Sequence, residues 1–210
     1  MTSTSTTHRA GYVGFPTEAA DAYRAAGYWT GRPLADLLRD TARRHPHRPA
    51  LLDAEQTRSY AWLDAEADRM AHGLLALGIA PGDRVVVQLP NVPEFLTVLF
   101  GALRAGIIPV LTLPAHRRAE IEHLAALSEA VAYIIVDRLG DFDYRELADT
   151  VRAAVPTLRH VLVVGEPGAG PPHGTGARAG GTLPEIEPGA IAQVEGTGGP
   201  PGRPQQNARP

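Results

Sequence analysis

Between residues 84 and 164 four short runs of mostly β-branched apolar residues recur, each separated from the next by one helical stretch. The runs are Arg84–Leu89, Ile107–Leu111, Ala132–Asp137 and His160–Val164, with Gly or Pro turns near their ends. A short apolar run bounded by turns suits a strand buried on both faces. Helices are read at Pro93–Ala105, Ala119–Ser128 and Tyr144–Val155. Strand and helix in alternation predict an α/β fold, a mainly parallel sheet flanked by helices and joined by right-handed crossovers. Pro109 has no N–H to give to a ladder, which places it at the beginning of its strand or on an edge.

Upstream, helical spacing covers Thr17–Ala26 with Gly27 as its stop, and Leu34–Arg44 with Leu34, Leu37, Leu38 and Ala42 on one face. Ala50–Asp53 and Thr57–Trp62 read as short strands, and a helix over Leu63–Leu77 closes on Gly78. The first ten residues read as disordered. At Gly165 the chain changes character, and nearly half of the residues from there to Pro210 are glycine or proline. Such a segment buries too little apolar surface to offset its ordering entropy. The expected organisation is therefore a disordered 1–10, a domain over 11–165 and a disordered Gly/Pro-rich tail over 166–210. Within the tail a brief ordered stretch is expected near Leu183–Val194.

Net charge is −3 over 210 residues, without a block of like charge, so neither nucleic acid nor an anionic membrane is an expected partner. There is no cysteine, which removes disulfides, thiolate metal sites and thiol nucleophiles. Met1–Arg9 lacks the apolar core of a signal peptide. The apolar run Phe95–Leu113 is broken by Arg104, two glycines and Pro109, which argues against a membrane span. A soluble, cytoplasmic protein is expected.

Catalytic constellations are scarce, and no residue is assigned a catalytic role. His116 and His123 stand seven apart with Glu120 and Glu122 nearby, so one helix face can present two metal ligands; solvated surface positions are the plainer reading. Asp137, at a strand's C-terminal end, is a ligand contact or, more plainly, a turn cap. Trp29 and Trp62 read as packing aromatics. Neither a Gly-x-Ser-x-Gly elbow nor a dinucleotide glycine fingerprint occurs. The segment Glu195–Gln205 is glycine-rich, the composition of loops that bind phosphate through backbone N–H groups. By composition alone it is more plainly a low-complexity linker.

Several stretches, in order, resemble the adenylate-forming superfamily. Arg58-Ser59-Tyr60-Ala61-Trp62-Leu63 resembles its first core motif, with Trp62 in place of the usual glutamate. Gly78-Ile79-Ala80-Pro81-Gly82-Asp83-Arg84-Val85 and Leu103-Arg104-Ala105-Gly106-Ile107-Ile108-Pro109-Val110 are similar to the next conserved stretches of that superfamily. Tyr23-Arg24-Ala25-Ala26-Gly27-Tyr28-Trp29 and Leu113-Pro114-Ala115-His116-Arg117 narrow the resemblance to the 2,3-dihydroxybenzoate–AMP ligases. The resemblance covers residues 11–165 well and then weakens.

The resemblance implies the N-terminal domain of the adenylate-forming ligase fold, in part. It also implies ATP-dependent adenylation of an aryl acid, 2,3-dihydroxybenzoate or salicylate, with Mg2+. Transfer to the phosphopantetheine thiol of an aryl carrier protein in siderophore biosynthesis would come next. The family's phosphate loop maps onto Thr197, Gly198, Gly199 and Gly202, with Pro200 and Pro201 where threonines stand and Gln205 where lysine stands. The 210 residues end before the aryl pocket and the mobile C-terminal domain of such enzymes, so this chain alone is expected not to catalyse. The alternatives are a non-catalytic chain that binds a partner, half of a split ligase completed by a complementary C-terminal half, or an acyl-CoA synthetase.

Overall fold

The computed structural model describes residues 15–52, 56–165, 182–186, 192–197 and 205–209. Residues 1–10, expected to be disordered, lie outside the described residues.

Four strands, β3 (Arg84–Gln88), β4 (Ile108–Leu111), β5 (Ala132–Val136) and β8 (His160–Val164), coincide with the four apolar runs. They pair in parallel in the order β4-β3-β5-β8. Helices α4 (Pro93–Arg104), α5 (Arg118–Leu127) and α6 (Tyr144–Ala154) supply the crossovers. The period of two along β3 divides the core: Val86 faces Ile121, Ala125 and Val151 of α5 and α6. Val85 and Val87 face Leu74, Val98 and Ala102 of α4 and α3 (Tyr60–Ala76). The sheet is therefore covered on both faces, as parallel sheets require.

Schellman geometry ends α4. Ile107 N–H donates to Ala102 and Gly106 N–H to Leu103, with Gly106 at φ +67°, where a side chain is disfavoured. A Cβ on Gly106 would also meet Ile186 at 2.9 Å. The end of α3 at Gly78 is built the same way. Arg104, whose charge spoke against a membrane span, is 2% exposed and held by the carboxylates of Asp64 and Asp68 on α3. Among the described residues no helix is long and apolar enough to cross a membrane.

Before the sheet come α1 (Thr17–Ala25), α2 (Leu34–Arg44) and an antiparallel pair, β1 (Pro49–Leu52) with β2 (Thr57–Ser59). The strand expected over Thr57–Trp62 stops at Ser59. The Ser59 hydroxyl accepts the Trp62 N–H at 3.2 Å, and this N-cap starts α3 at Tyr60. Leu38, Leu63 and Ala67 bury a small core there, with Trp62 and Phe100 packed against it. A hairpin, β6 (Arg138–Leu139) with β7 (Phe142–Asp143), interrupts the chain between β5 and α6.

Pro109 occupies the second residue of β4, and β4 is an interior strand. Ile108 and Thr112 direct their N–H groups to Asp83 and Val87 on the β3 side. Pro109 therefore turns its missing donor the other way, one residue before the neighbouring ladder begins at Val110. That neighbour is β9 (Gln193–Thr197), parallel to β4 and itself paired with the antiparallel β10 (Gln205–Arg209). Of the stretch expected to be ordered near Leu183–Val194, residues 187–191 lie outside the described residues; Val194 is buried on β9 and Leu183 packs on the α3–α4 side.

Candidate functional site at the C-terminal edge of the sheet

Ligand contacts of an open parallel sheet come from loops at the strand C-termini, above all where successive crossovers diverge. Here β3 leads to α4 on one face and β5 to α6 on the other, so the divergence falls between β3 and β5. Gln88 ends β3 at that point and is completely buried. Its Nε2 donates to the carbonyls of Leu113 and His116, both at 2.9 Å, and its Oε1 accepts the Tyr133 hydroxyl from β5. Carbonyls only accept, so the amide nitrogen must face them. Burial pushes the Tyr133 phenol up, with nearby Tyr144 adding to it, and Tyr133 stays a neutral donor.

Leu113–Arg117 is the loop that this amide holds. Tyr144 Oη donates to the Pro114 carbonyl at 2.8 Å. Arg117 Nη1 donates to Pro114 at 2.7 Å and His116 at 2.9 Å, with its guanidinium 4.0 Å from the Phe142 ring centroid. The Glu120 carboxylate accepts the Arg117 backbone N–H at 3.0 Å, which holds that acid below its ordinary value. Carbonyls 113, 114 and 116 are thereby all engaged, while the Leu113 side chain is 62% exposed. The Nδ1 atom of His116 is buried and makes no hydrogen bond among the described residues.

The two-histidine metal reading gains nothing from this geometry. Glu120 caps α5, and Glu122 pairs with Arg118 at 2.6 Å. Among the described residues no three His, Asp or Glu side chains converge. Asp137 accepts the N–H of Arg138 at 2.7 Å, as a turn cap would. Gly165, ending β8 at φ +104°, lies so close that a Cβ would stand 2.7 Å from the Asp137 Cγ. Trp62 carries the Arg58 guanidinium at 4.7 Å, and Trp29 packs edge-on to Phe15 at 5.1 Å.

Of the phosphate-loop residues, Thr197 ends β9, whereas Gly198, Gly199 and Gly202 lie outside the described residues. The β4–β9 pairing matches Val110 with Val194 and Leu111 with Glu195, two residues before the loop that starts at Leu113. Gln205 pairs with Thr197 in the β9–β10 ladder. The donor set there does not fit a triphosphate: Pro200 and Pro201 have no N–H, and Gln205 has no charge. The bracing residues Gln88, Tyr133 and Tyr144 escape sequence reasoning. One signal was available, a glutamine closing an otherwise apolar strand.

The family model described as AMP-binding enzyme matches residues 38–204. This chain belongs to the AMP-binding enzyme family. It is 54% identical over 156 residues to "Triostin synthetase I" of Streptomyces triostinicus, covering 74% of this chain and 29% of that protein. It is 47% identical over 206 residues to "Salicyl-AMP ligase / salicyl-S-ArCP synthetase" of Mycobacterium tuberculosis, covering 93% of this chain and 36% of the relative. It is 46% identical over 156 residues to the "2,3-dihydroxybenzoate-AMP ligase" of Bacillus subtilis, 74% of this chain and 29% of that one. The solved apo structure of Mycobacterium smegmatis MbtA superposes with a TM-score of 0.82 at 44% identity, over 95% of this chain and 38% of that one. This AMP-binding chain thus spans about a third of the length of the relatives it matches. The expected partial N-terminal domain of an adenylate-forming ligase is the fold observed.

Proposed function

We propose that this chain is the opening sheet layer of an aryl-acid–AMP ligase acting on salicylate or 2,3-dihydroxybenzoate. The observation that carries the reading is the Leu113–Arg117 loop, braced by Gln88 at the C-terminal edge of the sheet in which β4 pairs with β9. The similarity to ligases whose names include those two acids supports the substrate class. In the reaction an aryl carboxylate oxygen attacks the α-phosphorus of ATP, and the bond from that phosphorus to pyrophosphate breaks. A carrier-protein phosphopantetheine thiol then takes the aryl group and AMP leaves. The protein's part is to position the reactants and neutralise charge.

Thr197, Gly198, Gly199 and Gly202 are the residues proposed to meet phosphate. With prolines at 200 and 201 and glutamine at 205, that contact loses two hydroxyls, two backbone donors and a cation. The 210-residue chain is therefore expected to show no ATP–pyrophosphate exchange with either acid. Mg2+ is assigned no residue of this chain.

A chimera tests the reading. Residues 1–165 replace the matching segment of the Bacillus subtilis ligase, and aryl-acid-dependent exchange is measured. Retained exchange supports the proposal; a folded chimera without exchange contradicts it. A second reading, a non-catalytic chain that docks a complementary half, draws on exposed Phe15, Tyr28, Leu34 and Leu37. It predicts tight association with the remainder of such a ligase and no exchange from the mixture.

A further inference from the structure

Each polar atom of the Gln88 side chain is engaged. Its amide spans from β5, through Tyr133, to two carbonyls three residues apart in the loop after β4. The loop has its own closing bond, His116 N–H to Leu113 at 3.0 Å, and Gln88 adds a buried side-chain donor to both carbonyls. Phe142 and Tyr144 hold the loop from the α6 side through Arg117 and Pro114. From the strand side Gln88 holds Leu113 and His116, and the Thr112 hydroxyl donates to the Val87 carbonyl at 3.1 Å just before the loop.

We infer that Gln88 is a positioning residue: its amide, oriented by Tyr133, fixes the Leu113–Arg117 loop against the sheet just beyond β4, the strand that pairs with β9. The loop's carbonyls are engaged by Gln88, Tyr144 and Arg117, and Leu113 is exposed. The inference rests on the proposed function only for what the edge faces. Bracing itself is a property of the fold, so a failed ligase assay leaves it standing, and failed bracing leaves the ligase reading standing.

The test is hydrogen exchange on the full 210-residue chain. Gln88→Met keeps length and volume while removing both donors and the acceptor, so a space-filling role leaves exchange unchanged. The positioning role predicts that Thr112, His116 and Arg117 amides exchange about tenfold faster or more, with the β5–β8 ladder unaltered. Tyr133→Phe removes only the orienting O–H and is expected to give a smaller acceleration at the same amides. The double variant is expected to match Gln88→Met, since both changes break one chain of bonds. Wild-type loop exchange in Gln88→Met or in Tyr133→Phe would overturn the inference. So would additive effects, or an acceleration shared equally by the β5–β8 ladder. If Gln88→Met does not fold, the Tyr133→Phe result decides.

Discussion

The Leu113–Arg117 loop and the glycine-rich segment between β9 and β10 are equipped differently with backbone polar groups. The Leu113–Arg117 loop turns its carbonyls inward, onto Gln88, Tyr144 and Arg117. The segment between β9 and β10 has the glycine-rich composition of loops that bind phosphate, and its two adjacent prolines carry no N–H. An edge can keep its scaffold while its ligand-facing chemistry changes, because the scaffold's hydrogen bonds close on the protein and the other donors close only on a ligand.

The largest effect expected from breaking the scaffold side is Tyr133→Ala. It empties a wholly buried site and strips Gln88 of its donor, costing about 3–5 kcal/mol in a denaturant titration. Gly165→Ala comes next, at about 1–3 kcal/mol, because a side chain is strained at that φ and its Cβ would press on Asp137. Asp143→Ala, which removes the N-cap of α6, is expected to cost about 0.5–2 kcal/mol.

Asp143 also sharpens the comparison through pH. Its hydrogen-bonded partner Arg145, with Arg138 near, holds its carboxyl well below the usual carboxylate range. A depressed folded value means that the unfolded chain takes up the proton first. The contribution is therefore complete above the ordinary aspartate range and is lost as pH falls through that range toward the folded value. Thermal unfolding of Asp143→Asn should show a shallower acid dependence than wild type over that window. The smallest stability effect belongs to Pro200→Thr, Pro201→Thr and Gln205→Lys together, expected to move the unfolding midpoint little while raising affinity for ATP in equilibrium dialysis.

Four of the sheet's six strands were legible because they are apolar enough to declare themselves without neighbours. Tyr60 and Trp62 look like strand residues by propensity, but the Ser59 cap and packing against the Leu38, Leu63 and Ala67 core draw them into α3. The β6–β7 hairpin turns on Gly140-Asp141, a two-residue signal hidden beside the stronger pattern of β5. In the tail Val194 is a single apolar anchor, and composition masks it. The site split the same way: Leu113–Arg117 was marked by resemblance, whereas the Gln88–Tyr133 bond joins residues 45 apart and exists only once β3 and β5 are side by side.

Pyrophosphate exchange by reciprocal chimeras of the Bacillus subtilis ligase tests the account most directly. Residues 1–165 from this chain should sustain exchange with 2,3-dihydroxybenzoate. Residues 193–209 alone should abolish it, and Pro200→Thr, Pro201→Thr and Gln205→Lys in that graft should restore it. Exchange lost with the first graft, or retained with the second, would contradict the account.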